Sequence, residues 1–140
     1  MRRLVPALVL ALLGALAVPA ASEPEPRIDC ENAMSTYEMN VCAERDFKAA
    51  DDALNAAYRD ALKKVPGLAI GEIEQFNAAA WEKALRQSQR AWLAFRDAEC
   101  RDHIPMFWSG GTGTTVAVLG CMIEKTKART KELIENYETK

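Results

Sequence analysis

The chain has 140 residues, 49% of them hydrophobic and 27% charged, a balance that excludes both an intrinsically disordered protein and a multispanning membrane protein. Eighteen Lys and Arg stand against 20 Asp and Glu, a formal charge of −2, so there is no basic excess to bind a nucleic-acid backbone.

The N-terminus reads Met1-Arg2-Arg3, then an uncharged run from Leu4 to Val18, then Pro19-Ala20-Ala21-Ser22 and the polar Glu23-Pro24-Glu25-Pro26. A basic end, a short apolar stretch and small residues before a polar break predict a secretory signal peptide over residues 1–22, cut after Ala20, Ala21 or Ser22. The apolar run falls short of the ~20 residues that span a bilayer, so no stable membrane insertion is expected after cleavage. Cys30 follows the polar Arg27-Ile28-Asp29 and does not border the apolar run, which disfavours lipidation. Loss of Arg2 and Arg3 leaves 16 bases against 20 acids, a formal charge of −4 on a domain spanning 23–140. The predicted location is periplasmic or secreted.

Beyond the leader the only prolines are Pro66 and Pro105, and the glycines fall at Gly67 and Gly71, then at Gly110, Gly111, Gly113 and Gly120. They separate three long segments rich in Ala, Leu, Glu, Lys and Arg with no alternating strand pattern. In the first, Ser35-Thr36-Tyr37-Glu38 has the form of a capping box and predicts a helix from about Thr36 to Lys64, ended by Pro66-Gly67. Its apolar stripe runs through Met39, Cys42, Phe47, Ala50, Leu54, Ala57, Tyr58, Ala61 and Val65. A second helix is predicted from about Gly71 to Arg101, with Ile73, Phe76, Ala80, Ala84, Leu85, Trp92 and Phe95 inward and Pro105 closing it. A third begins near Thr114 or Thr115, either of which serves as N-cap, and buries Val116, Leu119, Ile123, Thr126, Thr130, Leu133 and Tyr137. Three such stripes bury most simply against one another, so the predicted fold is all-α, an antiparallel three-helix bundle.

Four cysteines in an exported chain read as two disulfides. Cys30 and Cys42 would lie about 18 Å apart on one continuous helix, out of bonding reach, but a helix starting near Thr36 lets residues 30–34 fold back onto its second turn. Cys100 and Cys121 flank the glycine loop. Of three possible connectivities, Cys30 with Cys42 and Cys100 with Cys121 is favoured. Metal is not expected, because no C-x-x-C is present and Cys100 with His103 is half a site.

The residues Cys30, Glu38 and Cys42, the run Ala50-Asp51-x-x-Leu54-Asn55-x-x-Tyr58, then Gln89-x-x-Trp92-x-x-x-Arg96-Asp97-x-x-Cys100, and finally Cys121 with Thr126-x-x-Arg129-x-x-x-Leu133 together resemble the LprI-type lysozyme inhibitor family. The order and spacing of these elements cover nearly all of the mature chain. The resemblance implies a small exported, disulfide-bonded helical domain that inhibits lysozyme; it supplies no inhibitory residue to carry over.

Asp51, Asn55 and Tyr58 share one face of the first helix, and Gln89, Trp92, Arg96 and Cys100 share one face of the second. They are expected to form a structural polar network with Asp97 and Arg129, in which Arg96 and Arg129 pair with Asp51 or Asp97 and Asn55 and Gln89 satisfy the remaining groups. The loop from Pro105 to Thr115 places Met106, Phe107 and Trp108 before a tip rich in glycine and threonine. The three large apolar side chains are expected to pack on the bundle. Trp108, Gly110, Gly111, Thr112, Gly113, Thr114 and Thr115 are the candidate binding loop, since backbone N–H groups and hydroxyls there imitate a saccharide before the paired carboxylates of a lysozyme cleft.

No G-x-S-x-G, phosphate-binding G-K-[ST] or free thiol accompanies the one histidine, His103, so neither a catalytic residue nor a cofactor is expected. The functional reading is a lysozyme-inhibitor-like binding protein. The alternative is an envelope module that binds a protein or a peptidoglycan fragment without inhibiting anything.

Overall fold

The computed structural model describes residues 27–68, 73 and 76–138; the predicted signal peptide lies outside the described residues, as does the predicted helix start at Gly71. Ser35 and Glu38 set the first boundary. The Glu38 N–H donates to Ser35 Oγ at 3.1 Å, while the Ser35 N–H and the Met34 N–H donate to Glu38 Oε2 at 3.0 and 3.2 Å. With its orphan donors satisfied in this way, α1 opens at Thr36 and runs to Leu68. It passes through Pro66, which was expected to end it. Proline in the last turn forfeits only one N–H, and Val65, 1% exposed, with Leu68 against the core, holds that turn in place.

The second helix, α2, spans Ala78–Asp97 and begins later than its apolar pattern predicted. Asn77 is its N-cap, accepting the Ala80 N–H at 2.9 Å. Ile73 and Phe76 therefore precede the helix and are 60% and 61% exposed. Phe95 is also outward, its ring covered by the Lys125 ammonium at 5.1 Å. Leu85 and Trp92 face inward as expected, joined by Gln89 and Arg96, whereas Ala84 is exposed. Nor does Pro105 close this segment. The chain continues through a π-helical stretch, Ala98–His103, into a short helix α3, Ile104–Trp108, where Pro105 occupies the first turn and its missing N–H costs little. Helix α4, Thr114–Asn136, completes the fold with Met122, Thr126, Arg129 and Leu133 buried.

Helices α1, α2 and α4 pack together as an all-α up-down-up bundle in which α1 and α4 run the same way and α2 runs against both. The register follows from cross-helix contacts. Arg96 meets Asp51 and Thr126, Gln89 meets Arg129, and Trp81 meets Tyr137. The apolar core of Leu54, Ala61, Val65, Leu85, Leu133 and Tyr137 interleaves with the last two of these layers, on the Tyr137 side of Arg96. Both disulfides, Cys30–Cys42 and Cys100–Cys121, lie on the opposite side of the Arg96 layer. The bundle is thus stapled at one end and holds its largest apolar cluster at the other.

Candidate functional site

Two arginines occupy the middle of the bundle. Arg96 is 6% exposed; its Nη1 donates to Asp51 Oδ1 at 3.1 Å and Thr126 Oγ1 at 3.2 Å, and its Nε donates to Asp97 Oδ1 at 3.0 Å. The guanidinium lies between the rings of Phe47 and Trp92, 5.5 and 5.3 Å from their centroids. Asn55 Nδ2 donates to the other Asp51 oxygen at 2.9 Å. Arg129 reaches neither aspartate. Its Nε donates to Gln89 Oε1 at 3.1 Å and its Nη2 to Ser88 Oγ at 3.2 Å, and it pairs with Glu132 one turn further along α4. Tyr58 stands apart from both groups, packed on the apolar core beside Arg86. Sequence reasoning missed Thr126 as a polar partner, because a threonine on an apolar stripe reads as core, and missed Ser88 and Glu132 altogether.

This arrangement is chemically saturated. Each arginine is surrounded by acceptors from its own helix and its neighbours. His103 is half-exposed and 3.3 Å from Glu99, with its ring against Phe107. All four cysteines are bridged. Among the described residues no group of three or more His, Cys, Asp or Glu is placed to hold a metal ion.

The end of the molecule beyond the Cys100–Cys121 bridge is different. Helix α3 stops at Trp108 because Ser109 and Gly110 adopt left-handed backbone, φ 47° and 72°. The Gly111 N–H then donates to Trp108 O at 2.8 Å, and Thr114 returns both its N–H, at 3.0 Å, and its hydroxyl, at 2.7 Å, to Gly111 O. Thr114 is thereby not a side-chain N-cap; Gly113 holds that position without a capping side chain. The Trp108 ring lies directly over Gly113, where a Cβ would collide with Cζ3, so only glycine fits. Thr112 and Thr115 remain exposed. Met106, Phe107 and Trp108, expected to pack on the bundle, are 73%, 70% and 48% exposed. The continued helical path beyond Pro105 projects them away from the core.

A family model described as "Lysozyme inhibitor LprI" matches residues 29–133. Uncharacterized protein R02472 of Rhizobium meliloti (strain 1021) is 40% identical over 142 residues, covering 99% of this chain and 98% of that protein. Uncharacterized protein YecT of Escherichia coli (strain K12) is 32% identical over 118 residues, covering 75% of this chain and 69% of that protein. No solved structure gives a significant match.

Proposed function

The chain belongs to the LprI lysozyme inhibitor family, and from that premise we propose that it is an exported binding protein that blocks the active-site cleft of a lysozyme and catalyses nothing itself. The family match carries the reading, because it takes in every cysteine and every polar element of the bundle. Two disulfides support an oxidising compartment, and among the described residues no helix is long and apolar enough to cross a membrane. The signal-peptide pattern of residues 1–22 gives the route of export.

The tip from Trp108 to Thr115 is the contact we favour. The Gly111 and Thr114 N–H groups close the turn, and the exposed Thr112 and Thr115 hydroxyls are the donors offered to the two carboxylates of a glycosidase cleft. The excess of acids steers a basic enzyme towards the domain at low salt.

The test is lysis of a Gram-positive cell-wall suspension by chicken-type and goose-type lysozymes, titrated with the oxidised protein lacking its first 22 residues. Saturable inhibition of at least one enzyme is expected. No inhibition of either at large excess sinks the proposal and leaves an envelope module with another partner.

A further inference from the structure

We infer that Met106, Phe107 and Trp108 form the anchoring surface for lysozyme, an uncharged wedge that enters its saccharide cleft while the acidic residues behind it face a basic rim. This rests on the inhibitor reading and deepens it from an activity to a surface.

Exposure comes first. Three consecutive large apolar side chains, 73%, 70% and 48% exposed, stand on one short helix, with Trp108 packed in part over Gly113 and Phe107 against His103. Aromatic side chains of this kind dominate binding energy when a partner desolvates them. The wedge is also held in shape. Cys100, fully buried, ties the turn before α3 to Cys121 of α4, Phe107 rests on the His103 ring at 4.9 Å, and Trp108 covers Gly113. A surface ordered beforehand loses little freedom on binding.

Charge selects the occupant. Residues 104–120 carry no charged side chain, whereas the turns just before them hold Asp97, Glu99 and Asp102 against Arg96 and Arg101, a net −1 within an exported domain of formal charge −4. The paired carboxylates of a glycosidase cleft repel an acidic insert and accept an uncharged one bearing N–H and hydroxyl donors. Acids set back from the tip then complement the rim of a cationic enzyme. The same acids repel an anionic bilayer, the other apolar environment open to such a wedge.

The test uses the double variant Met106→Ser/Phe107→Ser in the otherwise complete exported chain, with inhibition of chicken-type and goose-type lysozymes and the melting temperature all recorded. Inhibition should weaken at least about 100-fold with the melting temperature unchanged, since neither side chain belongs to the core. Equal inhibition by variant and wild type overturns the wedge alone; a wild type that inhibits nothing overturns the inhibitor reading and the wedge with it. A second measurement is independent of any variant. Peroxide oxidation of Met106, mapped by mass spectrometry, should slow when lysozyme saturates the protein, while the exposed Met34 serves as internal control; no protection of Met106 overturns the proposal. Sedimentation with phosphatidylglycerol vesicles, or a dimer on gel filtration, that the double variant abolishes reassigns the surface to a bilayer or a second copy and overturns it equally.

Discussion

Arg96 is held at the meeting of three helices by Asp51 from α1, Asp97 from its own helix and Thr126 from α4, with Phe47 and Trp92 on its two faces. Removing it leaves acceptors facing a cavity lined by aromatic rings, and breaking a buried pair by deleting one partner is costly. Arg96→Ala should lower stability by about 3 kcal/mol, read as a shift of the urea midpoint. Arg96→Lys should recover only part of the loss, because a single ammonium cannot reach three acceptors in the guanidinium plane. An unchanged midpoint for the alanine variant would show that the network contributes nothing to folding. The sequence made Arg96 and Asp51 legible as partners, since each sits at helical spacing from other polar residues on an otherwise apolar face. Arg129 was less legible. Its acid is Glu132 on the same helix, and an i,i+3 pair cannot be told from solvated surface charge without knowing that Arg129 is buried.

Helix boundaries were legible where side chains make them and obscure where the backbone does. Ser35 and Glu38 announce the start of α1 by residue type and spacing. By contrast, the π-helical stretch Ala98–His103 has no residue signature, so Pro105 reads as a stop although the chain coils onward into α3. The second boundary was misplaced because Ile73 and Phe76 continue the apolar spacing, while the signal that decides it is Asn77 before three alanines. The capping box also makes a pH prediction. The Ser35 N–H, then the Ser35 hydroxyl and the Met34 N–H, hold the Glu38 carboxyl below its usual range. A group whose folded value is depressed stabilises the fold above its unfolded value and loses that contribution as pH falls through the folded one. The first turn of α1 should therefore fray on acidification below the ordinary glutamate value of about 4.3, seen as loss of helical Cα shifts at Thr36 to Met39. In Glu38→Ala those shifts should already be reduced at neutral pH and no longer follow acidification. Wild-type shifts that ignore pH over this range would contradict the assignment.

Along the bundle axis, covalent and apolar stabilisation are separated. The two bridges lie on one side of the Arg96 layer, and the packed core of Leu54, Ala61, Val65, Leu85, Leu133 and Tyr137 lies on the other. The bridges close sequence separations of 12 and 21, and loop closure of that order contributes roughly 3 kcal/mol each. A domain of this size has about 5–15 kcal/mol in all; losing both bridges removes about 6 kcal/mol of it, and the distal core is expected to keep the remainder positive. Full reduction should lower the melting temperature by about 20 °C while most of the 222 nm ellipticity persists at 25 °C. The stapled end also holds α3 and the glycine tip, whose only covalent brace is Cys100–Cys121. Reduction should then abolish the proposed lysozyme inhibition well before it abolishes helicity, and Cys100→Ser/Cys121→Ser should do so with Cys30–Cys42 intact. A reduced protein that melts with the oxidised one would show that the bridges add nothing. Helicity lost at 25 °C on reduction would mean that the core cannot stand alone. Inhibition surviving with helicity after reduction would place the binding surface elsewhere than the end the disulfides hold.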